Sequence, residues 1–157
     1  MEETLDQPIC IISGSKSDDE IVMAAVKILA EFGVPHTKHI CSAHRDPERL
    51  GRIVTDAEDG GCRVFICIAG MAAHLPGVVA SLTTRPVIGV PASGGKLSGI
   101  DALLSIVQMP RGIPVACVAI DGGANAALLA CQILATDPIQ AELKGALNRL
   151  REKGREG

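Results

Sequence analysis

Short unbroken apolar runs alternate with segments whose apolar residues return every three or four positions, and the alternation repeats five times. Ile9-Cys10-Ile11-Ile12 is the first run, the pattern of a strand covered on both faces. The turn Ser13–Asp18 follows, and then Ile21, Ala25, Ile28, Leu29 and Phe32 recur at helical spacing. Ser17 with Glu20 three places on fits a capping box, and Gly33 ends the helix. Residues 36–41 predict a second strand. Asp46-Pro47 opens the next helix, with a carboxylate to cap free N–H groups and a ring whose φ is already helical. Leu50, Ile53, Val54 and Ala57 share one face of it, and Gly60-Gly61 stops it.

Val64–Ala69 reads as a third buried strand, with a short helix over 76–82 after it. Pro86–Val90 is strand four, and residues 92–99 form a Gly/Ser loop carrying Lys96. Ile100–Val107 predicts a helix ended near Pro110. Pro114–Ile120 predicts strand five, with its proline at the strand start, where a missing N–H is tolerated. Ala124–Leu134 is a long apolar helix. Asp137-Pro138 caps a last amphipathic helix bearing Ile139, Leu143, Leu147 and Leu150. Residues 1–7 and 151–157 read as loose tails of one domain spanning 1–157. Strands and helices in strict alternation predict a three-layer α/β sandwich around a parallel sheet of five strands. The flavodoxin-like order 2-1-3-4-5 is the expected one.

Composition narrows the partners. Net charge is −3 and no Lys/Arg run precedes the tail, which argues against a nucleic-acid partner. No apolar run reaches the roughly 20 residues needed to cross a bilayer, and the acidic start Met1-Glu2-Glu3-Thr4 is unlike a signal peptide. Six cysteines without a CxxC spacing lie mostly in apolar runs, so they read as buried thiols in a reducing cytoplasm. With two Phe, no Trp and no Tyr, the core is aliphatic and base-stacking platforms are excluded.

In open parallel sheets ligands bind beyond the carboxyl ends of the strands, at the switch point. In the expected order the loops after strands one, two and three are neighbours. Ser15, Ser17 and Asp18, then Ser42, His44 and Arg45, then Gly70, Met71, Ala72 and His74 would therefore converge on one crevice. Gly14-Ser15 offers backbone N–H groups to a phosphate but lacks GxxxxGK. Arg45 at a helix start opposes the helix dipole, which points to an anionic ligand. His44 is the candidate proton carrier. Ser17 is either a cap alone or also a ligand contact; His74 either belongs to the site or donates to a backbone carbonyl. His36 and His39 lie on opposite faces of a strand and read as structural. No pair of histidines is spaced for a metal. Gly70–Ala73 makes a small apolar wall, and Asp121–Asn125 is placed to close the crevice from its other side. These residues alone describe an α/β domain that binds a small phosphorylated ligand beside a histidine.

The same residues carry a family resemblance. Gly14-Ser15-Lys16-Ser17-Asp18, Ser42-Ala43-His44-Arg45, Ala72–Gly77, Pro86–Pro91, Ser105–Pro110 and Asn125–Ala130 resemble, in order and over about residues 9–136, the N5-carboxyaminoimidazole ribonucleotide mutases of purine biosynthesis. The resemblance implies a flavodoxin-like fold, a homo-octamer, and a reaction that uses neither metal nor cofactor. It implies that Asp18 holds the ribose hydroxyls, that Arg45 and the serines Ser15, Ser17 and Ser42 hold the phosphate, and that His44 is the general acid/base. Gly70, Met71, Ala72 and His74 complete the implied substrate-binding set.

The chain departs from the family pattern at Asp19, where Trp is common, and at Gly70-Met71, where many members have Gly-Ala-Gly-Gly. Asp121–Ala124 is trimmed too. The related direct carboxylase usually has Lys in place of Arg45 and lacks His-Leu-Pro-Gly; by both marks this chain sides with the mutase. The direct carboxylase and a non-catalytic phosphoribosyl-ligand binder are the rival readings.

Overall fold

The computed structural model describes residues 6–155; of the expected tails, residues 1–5 and 156–157 lie outside the described part. The chain runs β1 (Ile9–Ser13), α1 (Asp19–Glu31), β2 (His36–Ile40), α2 (Pro47–Asp59), β3 (Val64–Gly70), α3 (Leu75–Leu82), β4 (Val87–Ala92), α4 (Ile100–Val107), β5 (Ala116–Cys117), α5 (Gly123–Leu134) and α6 (Ala141–Arg155). All strand pairs are parallel, in the order β2-β1-β3-β4-β5. This is the flavodoxin-like arrangement that the alternation of elements predicts.

The apolar runs at β1, β3 and β4 follow from burial on both faces. Ile9, Ile11, Ile66, Ile68 and Val90 point to one side and pack with Ala25 and Leu29 of α1, Ala126 and Ala130 of α5, and Leu143 and Leu147 of α6. Their neighbours Cys10, Ile12, Phe65, Cys67 and Val87 point to the other side, against Leu50 and Val54 of α2, Val79 of α3 and Ile106 of α4. The period-2 alternation of side chains therefore sends alternate residues of one run into two separate cores. Five cysteines are buried and Cys117 is half-buried, all of them free thiols. Burial pushes the Cys10 thiol up to about 11 and the Cys62 thiol to about 12, so they behave as small hydrophobes. No helix is long and apolar enough to cross a membrane among the described residues.

Four local expectations are corrected. The Ser17–Glu20 capping box does not form. Ser15 is the cap instead: its Oγ accepts from the Ser17 N–H at 3.2 Å and starts a 3-10 turn, Lys16–Asp18, that leads into α1. Strand five is only two residues long, because Pro114 lacks an N–H and the strand is a sheet edge paired to β4 alone. Beyond it, Val118 N–H still bonds Gly89 O and Asp121 N–H bonds Pro91 O. Ile139 does not join the core; it is 86% exposed, on a 3-10 turn that precedes α6. Residues 151–155, expected as a loose tail, continue α6.

The α2 start matches expectation: Asp46 Oδ1 accepts from Arg49 N–H at 3.1 Å and Pro47 takes the first helical position. At the end of α1, Gly33 takes φ +64°, Val34 N–H reaches back to Leu29 O at 2.8 Å and Gly33 N–H to Ala30 O at 3.1 Å. That pair of bonds is a Schellman closure.

Candidate active site

The carboxyl ends of β1, β2, β3 and β4 open into one crevice of about 820 Å³. The loop after β1 brings Gly14, Ser15, Ser17 and Asp18 to it; the loop after β2 brings Ser42, Ala43, His44 and Arg45; the loop after β3 brings Gly70, Met71, Ala72 and Leu75. Nine of the ten residues proposed from sequence thus line a single cavity. The tenth, His74, is not part of that lining. It stands behind His44, with its Nδ1 2.9 Å from His44 Nε2. The two rings meet edge to face, with centroids 4.9 Å apart and planes at 81°.

The first two loops are cross-braced. Gly14 N–H donates to Ile68 O at 2.9 Å, and Cys41 N–H donates to Ser13 O at 2.9 Å, so the sheet ladder holds both loop entrances. Arg45 N–H and Asp46 N–H both bond Ser42 O, closing a tight turn just before α2. From that turn the Arg45 guanidinium reaches across and donates to Gly14 O at 3.2 Å. No carboxylate pairs with Arg45 among the described residues, whose ion pairs are Arg63–Asp137 and Arg85–Glu58. A guanidinium held by one neutral carbonyl keeps donors free for an anion.

Asp18 lies at the floor of the crevice, 8% exposed. Ser17 Oγ lies 3.4 Å from its Oδ1 and 3.0 Å from Ser15 Oγ, so the two serines and the carboxylate form one hydroxyl-rich corner. Burial raises the Asp18 carboxyl above the usual carboxylate range. The hydrogen bonds from Ser17 and the Ser15 backbone oppose that shift, and the charge of Asp121 adds to it. A carboxyl with a raised pKa is less favourable in its ionised form in the folded protein than in the unfolded chain, so its charge costs stability at neutral pH. Asp18→Asn is therefore expected to leave the melting temperature unchanged or higher. On the ribose-holding role that the resemblance implies for Asp18, the same change should weaken binding of a ribose-bearing ligand by roughly tenfold or more, since hydrogen bonds to a charged acceptor are worth about 1.5–3 kcal/mol. Thermal denaturation and titration calorimetry on the one variant check both signs.

The wall after β3 has an unusual backbone. Met71 takes φ +52°, the left-handed region that favours glycine, and it is 62% exposed. The loop after β4 also reaches the crevice, through Gly94 and Gly95, which were not expected there; the Gly/Ser composition of 92–99 was the available signal. Asp121–Asn125, expected to close the crevice, does not line it. Instead Asp121 Oδ1 accepts from Ser93 N–H at 2.8 Å and braces the β4 loop from behind. His36 Nδ1 lies 3.1 Å from Val34 O. His39 is half-buried, and its pKa is lowered by burial first and then by Arg49; neither histidine lines the crevice. Among the described residues no group of three or more His, Cys, Asp or Glu side chains is arranged to hold a metal.

These features define an α/β protein with a crevice at its topological switch point, furnished with a guanidinium that no carboxylate pairs among the described residues and with a pair of imidazoles beside it. The chain belongs to the AIR carboxylase family, whose model matches residues 8–156. It is 61% identical over 127 residues to the N5-carboxyaminoimidazole ribonucleotide mutase of Methanocaldococcus jannaschii, covering 81% of this chain and 78% of that one. It is 48% identical over 157 residues to the phosphoribosylaminoimidazole carboxylase of Schizosaccharomyces pombe, covering 99% of this chain but 28% of that longer protein. Among solved structures, Treponema denticola PurE superposes with a TM-score of 0.82 at 28% identity, covering 94% of each chain.

Proposed function

We propose that this protein is an N5-carboxyaminoimidazole ribonucleotide mutase, moving CO2 from N5 to C4 of the imidazole to give 4-carboxy-5-aminoimidazole ribonucleotide. The observation that carries the reading is the placement of His44 in one crevice with Arg45, Ser15 and Asp18. Asp18 would take the ribose hydroxyls, and Arg45 with Ser15, Ser17 and Ser42 the phosphate. The N-carboxylate leaves as CO2, and the electron-rich C4 carbon attacks it. The amine left behind needs a proton, and C4 then carries one too many. His44 gives the first and takes the second, so a single imidazole closes the cycle. Gly70, Met71 and Ala72 form the wall that would keep CO2 near C4 and away from water. The chemistry asked of the site is proton transfer and confinement, and the chain's own residues supply both.

Identity to the fission-yeast carboxylase and the short Gly70-Met71 loop favour one alternative, direct carboxylation of 5-aminoimidazole ribonucleotide. One assay separates the two. Purified protein is given either the N-carboxylated substrate or 5-aminoimidazole ribonucleotide with bicarbonate, and product is followed in each. Turnover at least tenfold more efficient with the N-carboxylated substrate is expected; efficient turnover only with the bicarbonate pair would reassign the protein as the carboxylase. Ligand binding with no product from either would leave the non-catalytic binder.

The protein is further proposed to work in the cytoplasm as a homo-octamer. Six free thiols suit a reducing compartment. Ile100, Leu104 and Val107, at positions i, i+4 and i+7 of α4, are 52%, 54% and 43% exposed. Such a stripe fits burial against another subunit.

A further inference from the structure

We propose that His74 is a positioning residue that holds His44 in the one tautomer able to act as a base, an inference that rests on the mutase reading above. The His44 Nε2 to His74 Nδ1 distance of 2.9 Å is a full hydrogen bond between two imidazole nitrogens. Between neutral rings such a bond contains one proton, which belongs to one partner. If His74 donates, His44 Nε2 is the acceptor and its proton sits on Nδ1. His44 then has no free lone pair with which to receive a proton from C4. If His44 donates through Nε2–H, its Nδ1 keeps a lone pair, and no hydrogen bond within the described protein occupies that nitrogen.

Only the second arrangement serves both halves of the cycle. The C4–H bond breaks, its electron pair stays with the ring of the substrate, and the proton goes to His44 Nδ1. The imidazolium keeps Nε2–H pointed at the lone pair of His74. The proton that Nδ1 gives to N5 at the start of the next cycle leaves the Nε2–H bond equally undisturbed. His74 therefore bears its own proton on Nε2 and accepts at Nδ1 throughout, and its bonding is the same before and after each transfer.

The local structure suits a fixed acceptor. Ala73 and Leu75 on either side are 1% and 3% exposed, so the backbone of His74 is pinned while its ring stays at the surface. Met71 O and Ala72 O accept from the N–H groups of Ala73 and His74, each at 2.8 Å, and His74 O accepts from Val78 N–H at the start of α3. The left-handed Met71 turns the loop back to make this possible.

Three variants test the assignment: His74→Leu, His74→Ala as a smaller substitute should the leucine protein fold poorly, and His74→Asn. The asparagine amide group can occupy nearly the place of Nδ1 and accept through its oxygen. Two-bond 1H–15N spectra of 15N-labelled protein, with both imidazoles neutral, read the His44 tautomer directly. Wild type is expected to show His44 with its proton on Nε2, and the leucine or alanine protein a mixture of tautomers. In those two variants kcat should fall roughly 10- to 100-fold, by analogy with the loss seen when the hydrogen-bonded partner that orients a metal-bound histidine is removed, with KM changed less than threefold. His74→Asn should recover most of both signals. A wild-type His44 protonated on Nδ1, a tautomer unmoved by His74→Leu, or equal activity in the leucine and asparagine proteins would overturn the proposal. A wild type inactive on the N-carboxylated substrate would count instead against the functional reading, and the spectra would still decide the contact.

Discussion

His44→Asn is expected to lower kcat by about 10²–10⁴-fold, the range over which a positioned acid/base contributes, while 5-aminoimidazole ribonucleotide still binds within a few fold of wild type. The reasoning starts from the loop after β2. His44 is exposed into the crevice, so it packs little and its removal costs the fold little. Asparagine retains a planar polar group of similar reach but neither takes nor gives a proton near neutral pH. The groups assigned to ribose and phosphate, Asp18 and Arg45, do not bond to His44 and keep their own supports, Ser17 and Gly14 O. Binding and chemistry should therefore separate cleanly. Stopped-time product assays and calorimetry on the same preparation measure the two. A variant retaining more than about a tenth of wild-type kcat would remove His44 from the proton-transfer step.

The second large effect lies in helix packing rather than in the reacting groups. Gly123→Ala is expected to destabilise the fold by about 2–3 kcal/mol, the cost of overpacking a close-packed contact, and to lower the melting temperature by roughly 5–10 °C for a chain of this size. Gly123 is the first residue of α5 and is buried where α5 crosses α1. A Cβ there would sit 2.1 Å from Ile21 O and 3.0 Å from the Ile21 carbonyl carbon. Those are backbone atoms, so no rotamer change relieves the clash and α1 must move as a body. Because α1 continues directly from the Ser15–Asp18 turn, the shift should also raise KM. Chemical denaturation checks the first effect and steady-state kinetics the second. A loss below about 0.5 kcal/mol would show that the two helices are not in the close contact described.

Local signals in the chain accounted for much of what the structure holds. The Asp46-Pro47 start and the Gly33 stop are written in residue types whose backbone preferences act without tertiary help. The continuous apolar runs at β1, β3 and β4 required burial on both faces, and alternation with helices then required parallel pairing. From that, the loops carrying Ser15, His44 and Met71 had to meet at one end of the sheet. Strand five misled because its apolar residues look like those of a central strand, whereas Pro114 and the edge position leave it two paired residues. The Ser17–Glu20 spacing misled because Ser15 caps first, taking the Ser17 N–H at the start of a 3-10 turn.

The order of elements, the layers they form and the loops that carry reactive side chains all follow from residue types along the chain, since these depend on local propensity and on the periodicity of apolar residues. Three contacts came from the packed molecule alone: His74 bonds His44 across 30 positions of chain, Asp121 braces the β4 loop without lining the crevice, and Arg45 reaches Gly14 O. Such contacts depend on distances between separate loops, set jointly by sheet twist, helix packing and backbone turns like that of Met71. No periodicity in the chain encodes those distances.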